Sequence, residues 1–358
     1  MHALKTAAKI GEELPIFDNA QSWLGPEVAR RSDWIHEFSS EEIGEIDSAV
    51  YRLDQAGTNI RAINRSKFPL PGLGSVLSRV GQEVLYGRGF HLFRGVPVGR
   101  YTPRQSAIAF WGLGQHFGTA VSQNGKGHLL GHVANLGLDY ADPEVRGYQT
   151  NARLPYHTDL ADVVALLCLK TPKAGGLSSI VSSTALWNEL VRLRPDHARI
   201  LLRPFHYTRW GEIPQGKNAF ESIPIFSPWQ GAMFTNYVRS AITKAQGLPG
   251  IPPLTQEQVV AMDFLDGLCT DPKLHLDMDF MPGDVQLLSN HCILHSRTSY
   301  EDWDDVDKRR HLLRLWLACP GGPGLPPFMY ERFGVTASGR PEGIRVPGVE
   351  LVAPIDVV

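Results

Sequence analysis

Cysteine is scarce in this chain, with four in 358 residues and none at C-x-x-C spacing, so neither a disulfide framework nor a thiolate metal site is expected. Cys168, Cys292 and Cys319 lie in apolar runs and read as small core residues of a reducing compartment. No stretch approaches the roughly 18 consecutive apolar residues of a membrane helix. The opening segment MHALKTAAKIGEELP has no apolar signal core before charge and proline interrupt it, which makes a cytoplasmic location the expectation. Positive charge is not in excess either: 35 Lys and Arg stand against 37 Asp and Glu, a formal net charge of −2, and the densest basic run, Lys308–Arg310, is short. That argues against a nucleic-acid binder, which needs a basic face. Internal repeats, low-complexity tracts and long linkers are also missing. What remains is ordinary globular composition, 43% hydrophobic and 20% charged, at a length that barrel and sandwich folds reach undivided.

The first third reads as mainly helical. Ser39 with Glu42 forms a capping-box pattern opening a helix through about Gln55. A second helix runs from Leu73 to about Leu85, ending near Gly87, and Gly89–Gly95 reads as a short strand between glycines. Thr102-Pro103 starts a third helix, to about Phe117. From His128 the texture changes to short strand-like runs: Val163–Leu169, Ser178–Ser182, Gly231–Tyr237, Val285–Leu294 and His311–Ala318. Helical periodicity interrupts them at Thr184–Leu193 and Thr255–Cys269. Strands that do not alternate strictly with helices predict an antiparallel barrel or jelly roll with helical additions. One domain over 1–358 is expected: residues 1–85 packed on the barrel, about 85–335 forming its core, and 336–358 a tail.

The chemistry concentrates at His157-Thr158-Asp159. Residues two apart on an extended segment face the same way, so this pair can offer one imidazole and one carboxylate to a single centre. Downstream, Pro282-Gly283-Asp284 launches an apolar run that reaches His291 and His295, which share parity on one strand. Either completes a two-nitrogen, one-oxygen set of the kind that holds non-haem Fe(II) on one face. We assign His291 to the core, as a hydrogen-bonded histidine, and His295 to the metal. In Arg309–Leu317, strand parity sends Arg310, Leu312, Arg314 and Trp316 to one side of a strand that is apolar on both. A buried guanidinium keeps its charge and needs a carboxylate partner. For Arg310 a ligand carboxylate is expected; for Arg314 a structural acid is an alternative. The same ligands would also suit a mononuclear metallohydrolase, although no H-E-x-x-H pattern is present, or a barrel that binds 2-oxoglutarate without turnover.

The ordered set YHTD (156–159), AGGLS (174–178), PGD (282–284), NHCILHSR (290–297) and RRHLLRLW (309–316) resembles the taurine dioxygenase and 2,4-dichlorophenoxyacetate dioxygenase family. The resemblance covers about residues 85–335. It implies a double-stranded β-helix core and an enzyme that uses Fe(II), 2-oxoglutarate and O₂, with His157, Asp159 and His295 as iron ligands. Arg310 would take the distal 2-oxoglutarate carboxylate, with Ser178 at the family's Gly-Gly-x-Thr position adding a hydroxyl. Arg314 matches a second arginine near the metal-chelating carboxylate and the substrate. Serine replaces threonine at 178, and the interval after His295 is longer than in the taurine enzyme. That makes Arg309 the neighbouring alternative to Arg310; parity with Arg314 favours Arg310. Halogenating relatives lack the carboxylate, so Asp159 argues for oxygenation: hydroxylation, desaturation or ring closure at an unactivated C–H bond, releasing succinate and CO₂. A small amino acid or other carboxylate is the expected substrate, with Gln123, Asn124, Tyr148 and Arg153 in the region that lines relatives' pockets and Arg153 facing an acid. Trp210, Phe226, Trp229 and Phe234 are expected in core or lid. A small-molecule substrate is the only partner implied; no nucleic acid or membrane is expected, and a homo-oligomer stays open.

Overall fold

In a computed structural model of the protein, residues 13–139 and 145–357 are described. Three helices dominate the N-terminal part: α1 (Ser40–Gln55), α2 (Gly74–Tyr86) and α3 (Pro103–Gly114). α1 opens on the reciprocal Ser39–Glu42 capping box and α3 on Thr102–Gln105, so the first backbone N–H groups are satisfied locally. The strands that position the site are β1 (Ile35–Glu37), β2 (Phe90–Arg94), β3 (Thr119–Val121), β4 (Leu130–Ala134), β5 (Leu154–His157), β6 (Val163–Lys170), β7 (Ser178–Ser182), β8 (His275–Met278), β9 (Val285–Ser289), β10 (Ile293–Arg297) and β11 (His311–Ala318). They form a seven-stranded sheet in the order β1-β2-β9-β6-β11-β3, with β4 also on β11, and a four-stranded sheet ordered β8-β7-β10-β5. All pairings are antiparallel except β1 with β2.

Alternation of side chains across each strand divides the interior into layers. Phe90, Leu92, Val164, Leu288 and Trp316 of the large sheet meet Ile180, Ile293, Leu276 and Met278 of the small one in a shared core. The other face of the large sheet (Ala165, Leu167, Leu287, Leu313, Leu315) packs on Ile46, Val50 and Leu53 of α1, Leu77 and Val84 of α2, and Ile108 and Trp111 of α3. Helices α4 (Ser183–Leu193) and α5 (Gln256–Cys269) cover the outer face of the small sheet through Trp187, Leu190, Met262 and Leu265 against Val181 and Leu294. Each such fully buried side chain contributes roughly 1.5–3 kcal/mol. All four cysteines are free and buried. No helix among the described residues is long and apolar enough to cross a membrane.

Two expectations need correction. The predicted strand Val285–Leu294 is two strands in different sheets, β9 and β10, separated by a turn at Asn290–Cys292. An apolar run carries no mark of a change of sheet, because both halves are buried. His291 and His295 therefore do not share one strand. The run Gly231–Tyr237 is strand only over Ala232–Thr235, paired with Phe226–Trp229. Over its described residues, 336–357, the C-terminal tail packs on the rest of the chain: Arg340 and Ile344 are buried, and Val352 bridges to His128.

Candidate metal centre and its pocket

His157 ends β5 and His295 lies in the middle of β10, and the two are direct antiparallel partners. Partners point to the same side of a sheet, so their rings lie 4.2 Å apart between centroids. Asp159 follows two residues after His157. Its Oδ1 is 4.0 Å from His157 Nε2 and its Oδ2 3.8 Å from His295 Nε2. One ligand atom from each of the three lies within 4.8 Å of the others, the one such cluster of three among the described residues. Ligands about 2.1 Å from a common ion sit about 3–4 Å apart, so modest side-chain rotation closes the set on a cation.

The surrounding groups prepare these donors. His157 Nδ1–H donates to the Pro155 carbonyl at 2.8 Å, which leaves the Nε2 lone pair for a metal. Burial pushes both histidines toward the neutral form; His295, with the His157 imidazole beside it, falls to about 3. Burial opposes ionisation of Asp159, but Arg314, the two imidazoles and a 2.8 Å bond from Trp316 Nε1–H outweigh it and hold the carboxyl below its ordinary range. The Asp159 backbone N–H donates to Asn290 Oδ1 at 3.0 Å, and Asn290 Nδ2 returns a bond to Ala161. His291, in the same turn, meets Asp162 Oδ1 at 2.8 Å. It is a hydrogen-bonded core histidine outside the ligand cluster. Asn290 and His291 together tie the turn between the sheets to the loop that carries Asp159.

Arg310 precedes β11, beyond a register shift between His311 and Leu312. Of the two neighbouring arginines it is the buried one, 4% exposed, with Tyr300 beneath its guanidinium at 5.1 Å. Arg309 turns outward to the Trp303 carbonyl. Among the described residues Arg310 Nη1 has no hydrogen-bond partner. Burial lowers its pKa, as expected for a cation short of a counter-charge. Such a group fits the carboxylate of a dicarboxylic acid. Ser178, buried at the start of β7, contacts the Gln286 amide at 3.3 Å. Arg314 is clamped: its guanidinium lies 4.6 Å from the Tyr148 ring and 5.3 Å from Trp316, while Nε donates to Gln123 Oε1 at 2.7 Å. Nη1 stands 3.9 Å from Asp159 Oδ2.

A pocket of about 1050 Å³, counted to its open mouth, lies over this centre. His157, Asp159, Arg314, Trp316 and Tyr148 line it, together with Arg209, Trp210 and Glu221. Of the four expected substrate residues, Tyr148 lines this pocket and Gln123, Asn124 and Arg153 do not. Gln123 is 0% exposed, and its amide is used up by Arg314 Nε, the Arg314 carbonyl and the Leu129 carbonyl. Asn124 caps its own turn through Lys126 N–H and borders a second, adjoining cavity. Arg153 is exposed in the segment just before β5 and lies outside the pocket wall. Trp210 is in the wall with a left-handed backbone (φ 48°), stacked on Arg146 at 5.1 Å; Phe226 and Phe234 are core. Residues missed from sequence are Trp316 and Asn290, which hold Asp159, and the charged trio Arg209, Glu221 and Arg332. Trp316 had a signal, its shared parity with Arg314. The trio had none, since Arg332 meets Arg209 and Glu221 from more than a hundred residues away.

The family described as taurine catabolism dioxygenase TauD, TfdA has a sequence model that matches residues 52–316. FR-33289 synthase of Streptomyces rubellomurinus is 29% identical over 324 residues, 89% of this chain and 95% of that one. Uridine-5'-phosphate dioxygenase of an Amycolatopsis species is 30% identical over 180 residues, 48% of this chain and 63% of its own. Among solved structures, asparagine oxygenase in complex with Fe(II), 3-hydroxyasparagine and succinate superposes with a TM-score of 0.62 at 17% identity, covering 80% of this chain and 93% of that one. The non-haem iron oxygenase OrfP with Fe and alpha-ketoglutaric acid gives 0.59 at 15% identity, covering 79% and 94%.

Proposed function

The chain belongs to the taurine catabolism dioxygenase TauD, TfdA family, and on that premise we propose that His157, Asp159 and His295 hold Fe(II) inside a double-stranded β-helix made of the two sheets. The enzyme is an Fe(II)- and 2-oxoglutarate-dependent oxygenase that oxidises an unactivated C–H bond and releases succinate and CO₂. The bound metal and co-substrate supply the oxidising chemistry. The protein supplies placement. Trp316 and Asn290 fix the Asp159 carboxylate, and the Pro155 carbonyl sets the His157 tautomer. Arg310, with Ser178, takes the distal carboxylate of 2-oxoglutarate, the group its unpaired Nη1–H calls for. Arg314, held against the Tyr148 and Trp316 rings, presents its Nη1 toward the metal end, 3.9 Å from Asp159 Oδ2. Residues 1–358 act as one domain, since helices from the N-terminal part and strands of the large sheet share one core.

The substrate reading is a small amino acid or other carboxylate, hydroxylated, desaturated or cyclised. It is supported by structures of similar fold that hold 3-hydroxyasparagine or (3S)-hydroxy-L-Arg. The observation that carries the proposal is the convergence of two neutral imidazoles and one ionised carboxylate within 4.8 Å of one another. Anaerobic titration with Fe(II) and 2-oxoglutarate tests it. A weak visible charge-transfer band is expected, lost in His157→Ala and weakened in Arg310→Ala. Absence of the band in the wild-type protein overturns the reading. Succinate release across a panel of amino acids and other acids then identifies the substrate.

A further inference from the structure

We propose that the part of the pocket wall around Arg209 is an oxyanion subsite that takes an acidic group of the substrate remote from the C–H bond oxidised. This rests on the reading that the pocket over His157 and Asp159 admits the substrate. Arg209 follows the strand Pro204–Thr208, whose antiparallel partner Phe220–Pro224 carries Glu221. Its guanidinium lies 4.9 Å over the Phe333 ring and the residue is 6% exposed, yet it borders the pocket.

The charge count around it is unbalanced. Two other wall cations have their own acids: Arg146 has Glu212, and Arg239 has Asp263 at 2.7 Å and Asp266 at 3.0 Å. Arg332 takes both oxygens of Glu221, and its Nη1 goes to Asn236 Oδ1 at 2.6 Å. Arg209 reaches only the Glu221 oxygen that Arg332 Nε already occupies, at 3.4 Å. Two guanidinium groups therefore share one carboxylate. Arg209 Nη1 donates to the Arg332 carbonyl at 3.0 Å, while Nε has no partner among the described residues. Burial lowers its pKa, although arginine stays charged regardless. A buried, permanently charged guanidinium that shares its one carboxylate with a second cation and borders a substrate pocket is matched by an anion. The ligand chemistry is a carboxylate, phosphonate or sulfonate. Arg209, not the exposed Arg153, is where this chain meets an acid.

The test uses the protein loaded anaerobically with Fe(II) and saturating 2-oxoglutarate. Acetate, methylphosphonate and methanesulfonate are titrated separately at constant ionic strength. The readouts are perturbation of the charge-transfer band and the melting temperature. The wild type is expected to respond saturably to at least one probe, and the tightest names the acid. Arg209→Gln should weaken that response about tenfold or more, since a charge-assisted bond is worth roughly ten- to a hundredfold in affinity. Arg209→Lys should fall between. Glu221→Gln, which removes the shared carboxylate, should tighten it, so the proposal does not depend on one variant folding. A normal band with no response to any probe, or equal responses in wild type and Arg209→Gln, overturns the subsite. Loss of the band in the wild type instead overturns the metal reading.

Discussion

Asp162→Asn is the perturbation that best separates packing from chemistry in this protein. Asp162 is 1% exposed and accepts four hydrogen bonds: from His291 at 2.8 Å, Arg340 Nε at 2.9 Å, Arg340 Nη2 at 2.5 Å and the Cys319 backbone N–H at 2.8 Å. Burial works against its ionisation, but the bonds from His291 and Arg340 more than offset that and bring the carboxyl from 3.8 to about 2. That difference corresponds to about 2.4 kcal/mol. The folded value is depressed, so this stability is present above about pH 4 and is lost as pH falls toward 2. Asparagine keeps the volume but turns an NH₂ toward donors and leaves Arg340 buried without a counter-charge, which costs about 3–5 kcal/mol. A fall in melting temperature of roughly 5–10 °C at pH 7 is expected. Because His291 and Asp162 flank the loop that carries Asp159, Fe(II) affinity should weaken as well. Thermal melts with and without Fe(II), at pH 7 and 3, measure both effects. A loss below 1 kcal/mol at pH 7 would refute the reasoning.

Three further outcomes follow from particular contacts. Asn290→Ala removes the bond to the Asp159 backbone, and the Fe(II) titration midpoint should rise about 10–100-fold; an unchanged midpoint would mean that Trp316 alone holds the carboxylate. Gly131→Ala would place a Cβ 2.4 Å from Gln123 Oε1, so it should cost about 1–3 kcal/mol in a melt and raise the substrate KM by freeing Arg314. His91 is buried with neither ring nitrogen partnered among the described residues, and burial, then the Arg88 charge, lowers its pKa to about 4. The unfolded chain binds the proton first as pH falls below about 6.5, so wild-type stability should drop by about 2 kcal/mol between pH 7.5 and 5 on this account. His91→Phe should remove that part of the slope; identical slopes would contradict it.

Much of the centre was legible because its donors are set by short-range periodicity. His157 and Asp159 are two apart on an extended segment, and Arg310 precedes and Arg314 lies within an apolar strand that cannot leave a charge unpaired. Capping boxes at Ser39 and Thr102 placed helix starts for the same local reason. The turn at Asn290–Cys292 escaped notice, since two buried strands read as one apolar run. Gln123 and Asn124 border an adjoining cavity and Arg153 is exposed outside both, because proximity in sequence to His157 says nothing about which way an amide or guanidinium is already bonded.

The chain by itself determined the chemistry: which atoms can bind a ferrous ion, and which cation must find an acid. Those are properties of residue type and of spacing within one strand. Tertiary structure alone decided the company these groups keep. It set His295 across from His157 and put Trp316 on Asp159. It also brought Arg209, Glu221 and Arg332 to one wall with one negative charge too few. Pairings between segments more than a hundred residues apart depend on how the sheets close, and no local pattern encodes that.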